Sequence, residues 1–138
     1  MGECVAERFN YREHIDPEYR RWGRKYARFP GVAECARLIR AGKARGAWAD
    51  IIAEELTHHA RDSFKELVER FRSDPNDRVR LFVMMALEMA ALPEAVPFLA
   101  EVLRGSDPRF ASYAERGLRA IDTPESRTVL WHAARPSS

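Results

Sequence analysis

The stretch "DPNDRVRLFVMMALEMAALPEAVPFLAEVL", residues 74–103, decides the fold. Val79, Val83 and Leu87 recur every four positions with Met84 beside them, the spacing of one helix face rather than of a strand. "LPE" at 92–94 interrupts the pattern, and proline at the first position of a second helix is tolerated because that N–H has no intrahelical partner anyway. Two short helices joined by a tight turn cannot bury both apolar faces alone. A neighbour has to cover them.

The sequence supplies one. In "SDPRFASYAERGLRAIDTPESRTVLWHAA", residues 106–134, Leu118, Pro124, Glu125 and Leu130 match Leu87, Pro93, Glu94 and Leu99 at a constant shift of 31. The two "SDP" triplets, at 73–75 and 106–108, stand 33 apart, so the link is expected to absorb two residues, with an Asp N-cap before each helix. Backwards by 31 or 32, Trp48, Ile52 and Leu56 fall under Val79, Val83 and Leu87, while Leu67 and Phe71 fall under Leu99 and Leu103. That is a third, degenerate copy without the proline between its helices.

The rest of the chain has the same grammar. Tyr19, Trp22, Tyr26 and Phe29 form a helical stripe, as do Phe64, Leu67, Val68 and Phe71. "DPE" at 16–18, "PG" at 30–31 and "TPE" at 123–125 separate the stripes, and no Asn-Gly or Asp-Gly hairpin turn occurs. The expected fold class is all-α, with roughly seven or eight short helices on short connections.

Residues 74–103 resemble a HEAT repeat of the short type seen in phycobilin lyases and many bacterial scaffold proteins. The features that carry the resemblance are the Asp-Pro start, "VR" at 79–80, "AL" at 86–87 and "PEAVP" with Leu99 at 93–99. Residues 107–134 keep the frame, with Ala111-Ser112 in place of "VR" and Thr128 in place of the second proline. Residues 45–72 match in periodicity alone. The resemblance implies a right-handed α-α superhelix (solenoid) and a curved face for another macromolecule, although fold by itself is weak ground for function. The expected organisation is a single domain over 1–138, with N-terminal capping helices at 1–44 and three HEAT-like repeats at 45–135, the first degenerate.

At 138 residues and 46% hydrophobic, the chain can bury one core. No apolar run reaches membrane-spanning length, and "MGECVAERFNYREH" at 1–14 carries charges where a secretory signal would be apolar. Gly2 lacks the Ser or Thr at position 6 that myristoylation wants. Two cysteines, Cys4 and Cys35, are expected as free thiols in a cytoplasmic protein of bacterial character.

"EYRRWGRKYARF", residues 18–29, sets five cations among four aromatics. On a helix the aromatics share one face and Arg20, Arg21, Arg24, Lys25 and Arg28 take the others. Bases stack on exposed aromatics beside cations, so segregation favours an end cap whose aromatics pack inward. The alternative is a nucleic-acid-binding protein that uses these five cations. Residues 1–46 hold 11 Lys/Arg against 6 Asp/Glu, and residues 47–138 hold 12 against 15, so a basic end joins a slightly acidic body. Arginine's predominance suits bidentate contacts to carboxylate or phosphate.

Catalytic signatures are missing. "EELTHHARD", 54–62, contains one Glu-x-x-His where a di-iron site needs two, no HExxH occurs, and the repeat frame places the segment in a turn. Gly-rich phosphate loops and nucleophile elbows are absent too. No cofactor and no metal are expected. The function expected is a non-catalytic protein–protein interaction module, such as an immunity protein that neutralises a toxin or an adaptor. Its second helices, roughly 62–72, 94–104 and 124–135, would line the binding face. With Leu67, Leu99 and Leu130 inward, Lys65, Pro97 and Thr128 point out, followed one turn later by Glu69, Glu101 and His132. Phe98 is expected as the exposed aromatic anchor of that face.

Overall fold

The computed structural model describes residues 17–135. Readings on Gly2, Cys4 and the rest of 1–16 lie outside the described residues. Among the described residues there are eight α-helices and no strand: α1 Pro17–Lys25, α2 Val32–Arg40, α3 Ala47–His58, α4 Phe64–Ser73, α5 Asp77–Ala90, α6 Val96–Leu103, α7 Pro108–Ile121 and α8 Pro124–Ala134. A single 3-10 turn, Pro93–Ala95, leads into α6. The chain forms two compact units, Met1–Ile52 and Ala53–Ser138, with the boundary inside α3.

In the second unit the repeat is visible in backbone detail. Helices α5 and α7 both run fourteen residues. Asn76 caps α5, its side chain accepting from the N–H groups of Arg78 and Val79 at 2.9 and 3.0 Å. Asp107 caps α7 and accepts from Arg109 N–H at 3.0 Å. Residues 76 and 107 are 31 apart, the shift that also relates Ala91 to Asp122 at the far ends of the two helices. The shift is therefore 31 throughout. The expected Asp74 cap is corrected: Asp74 ends α4, is buried, and accepts Asn76 N–H on its own carboxylate at 2.9 Å. Its role is to turn the chain into the real cap. By the same register Phe110-Ala111, rather than Ala111-Ser112, stands where "VR" stands in α5.

Several equivalent positions share their burial, although Met84 is buried where Glu115 is exposed. Val79 and Phe110, Val83 and Ala114, Ala86 and Gly117, and Leu87 and Leu118 are all buried pairs at that shift. Ala95 and Ser126 are both fully buried, although one is polar. Ser126 is tolerated because its hydroxyl accepts Thr123 N–H at 2.8 Å and donates to Thr123 C=O at 3.0 Å, closing a capping box. Leu130, by contrast, is half-buried where Leu99 is fully buried.

Helix α7 packs on both α5 and α6, α8 packs on α7 and α6, and α4 packs on α5. Aromatic rings join the layers. Phe71 meets Phe98 and Phe110 edge-on at 5.4 and 5.2 Å. The Arg80 guanidinium lies over Phe71 and Phe110 at 4.4 and 4.8 Å, and its Nε donates to Phe71 C=O at 3.1 Å. That one side chain satisfies a carbonyl at the end of α4 and covers two rings. Ion pairs bridge successive helices of like rank, Arg116 to Glu88 at 3.3 Å and Arg72 to Glu101 at 3.1 Å.

The first unit has its own aromatic centre. Trp22 is buried, with its ring 4.6 Å from Tyr26 and 5.2 Å from Trp48. Helix α1 stops at Lys25, so Tyr26 and Phe29 both lie beyond the helix that was expected to carry them. The chain turns there because Gly31, at φ 103°, takes a conformation that a Cβ would disfavour and starts α2. Helix α2 buries Val32, Cys35, Ala36, Leu38 and Ile39. The segment 54–62 is less of a turn than its polarity suggests: residues 54–58 complete α3 and the turn occupies 59–63.

Candidate protein-docking groove

The second helices α4 and α6 frame an open groove of about 410 Å³. Three of its lining residues, Lys65, Glu69 and Pro97, point outward in the repeat register, and Phe98, the expected anchor, lines it too; Glu101, expected on the same face, does not. Phe64, Val68, Arg72 and Glu94 complete it. The apolar material sits low in the groove, Phe64 half-buried and Val68 and Phe98 buried, while Lys65, Glu69, Arg72, Glu94 and Pro97 are exposed around it.

Phe98 is the main correction to the expected site. It is 5% exposed, so it is floor and not a protruding anchor. Its ring contacts Phe71 and lies beneath the Arg72 guanidinium, 5.6 Å away. The signal was present in the sequence: Ala95, Phe98, Leu99 and Val102 follow i, i+3, i+4, i+7, a complete inward stripe, and all four are buried. Arg72 was not anticipated. It reaches from α4 to Glu101 on α6 at 3.1 Å, an exposed ion pair between the two helices, while Glu101 itself does not line the groove.

The third second-helix, α8, behaves differently. Thr128 and His132 are exposed as expected, but neither lines the groove. The Thr128 hydroxyl donates to Pro124 C=O within its own helix at 2.9 Å. His132 lies edge-on to Trp131 at 5.1 Å. Trp131 itself is 57% exposed, with Arg135 stacked over it at 4.4 Å.

In the first unit, Arg20, Arg21, Arg24, Lys25 and Arg28 are all exposed. Arg21 pairs with Glu18 at 2.8 Å. Glu34 on α2 is gripped by Nε and Nη2 of Arg37, each at 2.7 Å, and accepts a hydrogen bond from the Tyr26 hydroxyl. The Arg37 bonds first, and the Tyr26 bond second, hold the Glu34 carboxyl down at about 2. Partial burial, reinforced by the hydrogen bond to Glu34, pushes Tyr26 up to about 12. Among the described residues no group of three or more His, Cys, Asp or Glu is placed to hold a metal ion. His59 lies 3.6 Å from Glu55 one helical turn before it.

Compared with protein families, residues 64–138 match the model described as HEAT repeats. The chain belongs to that family. The match spans α4 to the end of the chain, which includes both walls of the groove. Comparisons with curated proteins and with solved structures returned no match. HEAT repeats are commonly protein-interaction scaffolds and are typically non-catalytic. No helix among the described residues is long and apolar enough to cross a membrane.

Proposed function

We propose that this HEAT-repeat chain is a non-catalytic interaction module that holds a protein partner in the groove between α4 and α6. The groove itself carries the proposal: an apolar floor under a rim of mixed charge, open to solvent, between helices that the fold already fixes. Such a site suits one or two apolar side chains of a partner, oriented by Lys65 and Arg72 on one wall and Glu94 on the other. An immunity protein and an adaptor are two roles for the same module. They differ in the partner, a toxin in one case and an assembly component in the other.

The test is comparative capture from the native host with wild-type bait and with Lys65→Glu/Glu94→Lys bait. Both substitutions are at exposed positions, so melting temperature should be unchanged. A partner retained by the wild type and lost with the charge-swapped groove supports the proposal. Equal retention by both baits, or no partner for either, contradicts it.

A further inference from the structure

The first unit carries a charge imbalance that the groove does not use. Between residues 17 and 52 there are nine Lys/Arg and three Asp/Glu, a balance of +6 in a chain whose net charge is +2. Two of the three acids are already engaged, Glu18 by Arg21 and Glu34 by Arg37. Arg20 and Arg24 are one helical turn apart on α1 and both are exposed; Lys25 is exposed beside them, and Arg28 just past the helix end. No carboxylate of the described residues pairs with Arg20, Arg24 or Arg28. Cations left so close together repel one another, and an external anion lattice relieves that repulsion.

The aromatics identify the kind of lattice. Single strands are held by stacking bases on exposed rings beside a cationic track. Here Trp22 is buried against Tyr26 and Trp48, and Tyr26 is tied to Glu34. Tyr19 and Tyr26 are half-buried and Trp22 is buried, so the side chains that stand fully outward here are guanidinium and ammonium groups rather than rings. Guanidinium forks match phosphate oxygens, and a duplex offers about one phosphate charge per 1.7 Å of axis, denser than a single strand. We propose that the exposed Arg20, Arg24, Lys25 and Arg28 of α1 and the bend after it bind double-stranded nucleic acid through its phosphates, without base readout. This site is separate from the groove and does not depend on the function proposed for it.

Fluorescence anisotropy with the full chain and a labelled 20-base-pair duplex of random sequence provides the test. Four phosphate contacts predict a slope of log affinity on log salt of about −3 to −4, or roughly a hundredfold loss between 50 and 200 mM salt. Arg20→Gln/Arg24→Gln/Arg28→Gln should flatten that slope by about 2 to 3 and leave the melting temperature unchanged. Arg20→Glu/Arg24→Glu/Arg28→Glu should abolish binding at 50 mM salt. A single strand of equal length should bind several-fold more weakly, and scrambling the duplex sequence should change nothing. The proposal is overturned by a duplex that does not bind at 50 mM salt, or by a slope the neutralised variant does not change. A single strand bound as tightly as the duplex overturns it as well, as does polyglutamate or an anionic phosphatidylserine vesicle bound in preference to the duplex.

Discussion

Ala91 and Asp122, 31 residues apart, end their helices in the same left-handed conformation, at φ 51° and 52°. Neither is glycine, so each repeat holds an L-residue where glycine is the usual choice after a helix. Asp122 is compensated by Arg127, whose guanidinium donates to its backbone carbonyl at 3.0 Å and to its carboxylate at 2.9 Å. Ala91 has no side-chain group to do this. Ala91→Gly should therefore stabilise the fold by about 0.5–1 kcal/mol, whereas Ala111→Gly inside α7 should cost about 1 kcal/mol. Urea midpoints for the two variants, moving in opposite directions, would check the conformation at this position.

Gly117 is the second special position, because it takes the place of Ala86 in the repeat and lies against Leu99. A Cβ there would come within 3.1 Å of Leu99 Cδ1. Leu99 is fully buried, so making room for that Cβ means repacking inside the core. Leu99→Ala alone should cost about 2–5 kcal/mol as a cavity. Gly117→Ala should be neutral or destabilising in the wild type despite alanine's better helix propensity, and stabilising by about 1 kcal/mol in the Leu99→Ala background. A thermodynamic cycle over the four proteins measures this coupling. Additive effects would mean that the two residues do not touch.

Phe98 and Glu101 contrast the groove's floor with the exposed surface outside it. Phe98→Ala should cost about 3–5 kcal/mol, because it removes a ring packed on Phe71, while Glu101→Ala should cost under about 0.5 kcal/mol. Melting curves distinguish them readily. A mild loss for Phe98→Ala would return Phe98 to the role of exposed anchor.

What the sequence disclosed and what it concealed have physical causes. The pairing of Leu87 with Leu118 was legible because burial imposes a 3.6-residue period and the repeat copies it. Cap identity was not: "SDP" looks like a helix start at both places, yet Asn76 makes the cap bonds and Asp74 folds beneath it, a choice of two residues that only the local chain path decides. Three of the groove residues, Lys65, Glu69 and Pro97, were readable from the register of Leu67 and Leu99, whereas Glu101, outward by the same register, lies outside the lining. Arg72 was not, because its partner Glu101 lies 29 residues away and a single sequence holds no sign of that bond. Phe98 was misplaced although its stripe was complete: it follows exposed Pro97 directly, yet the 3.6-residue period puts it on the buried side with Ala95, Leu99 and Val102.

The Tyr26–Glu34–Arg37 cluster makes stability depend on pH at both extremes. Glu34 is held at about 2 against an ordinary value of 4.5, so its contribution is complete above about pH 4.5 and disappears as pH falls towards 2. Tyr26 is raised from 10.0 to about 12, so its contribution is complete below pH 10 and is lost as pH rises towards 12. The wild type should exceed Glu34→Gln in melting temperature at pH 6 and converge with it near pH 2. Ultraviolet titration of tyrosinate should show a late-ionising tyrosine that Tyr26→Phe removes. Parallel acid curves for wild type and Glu34→Gln would contradict the cluster.

Site-specific photo-crosslinking in the native host tests the docking groove most directly. A crosslinker replacing Pro97 or Glu69 stands on the groove's walls, and one replacing Met89, 70% exposed on α5, stands outside it. The account predicts the same protein adduct from positions 97 and 69, none from 89, and loss of the adduct when Lys65→Glu/Glu94→Lys is added. An adduct from position 89 in place of 97 and 69, or one that survives the charge swap, would contradict it.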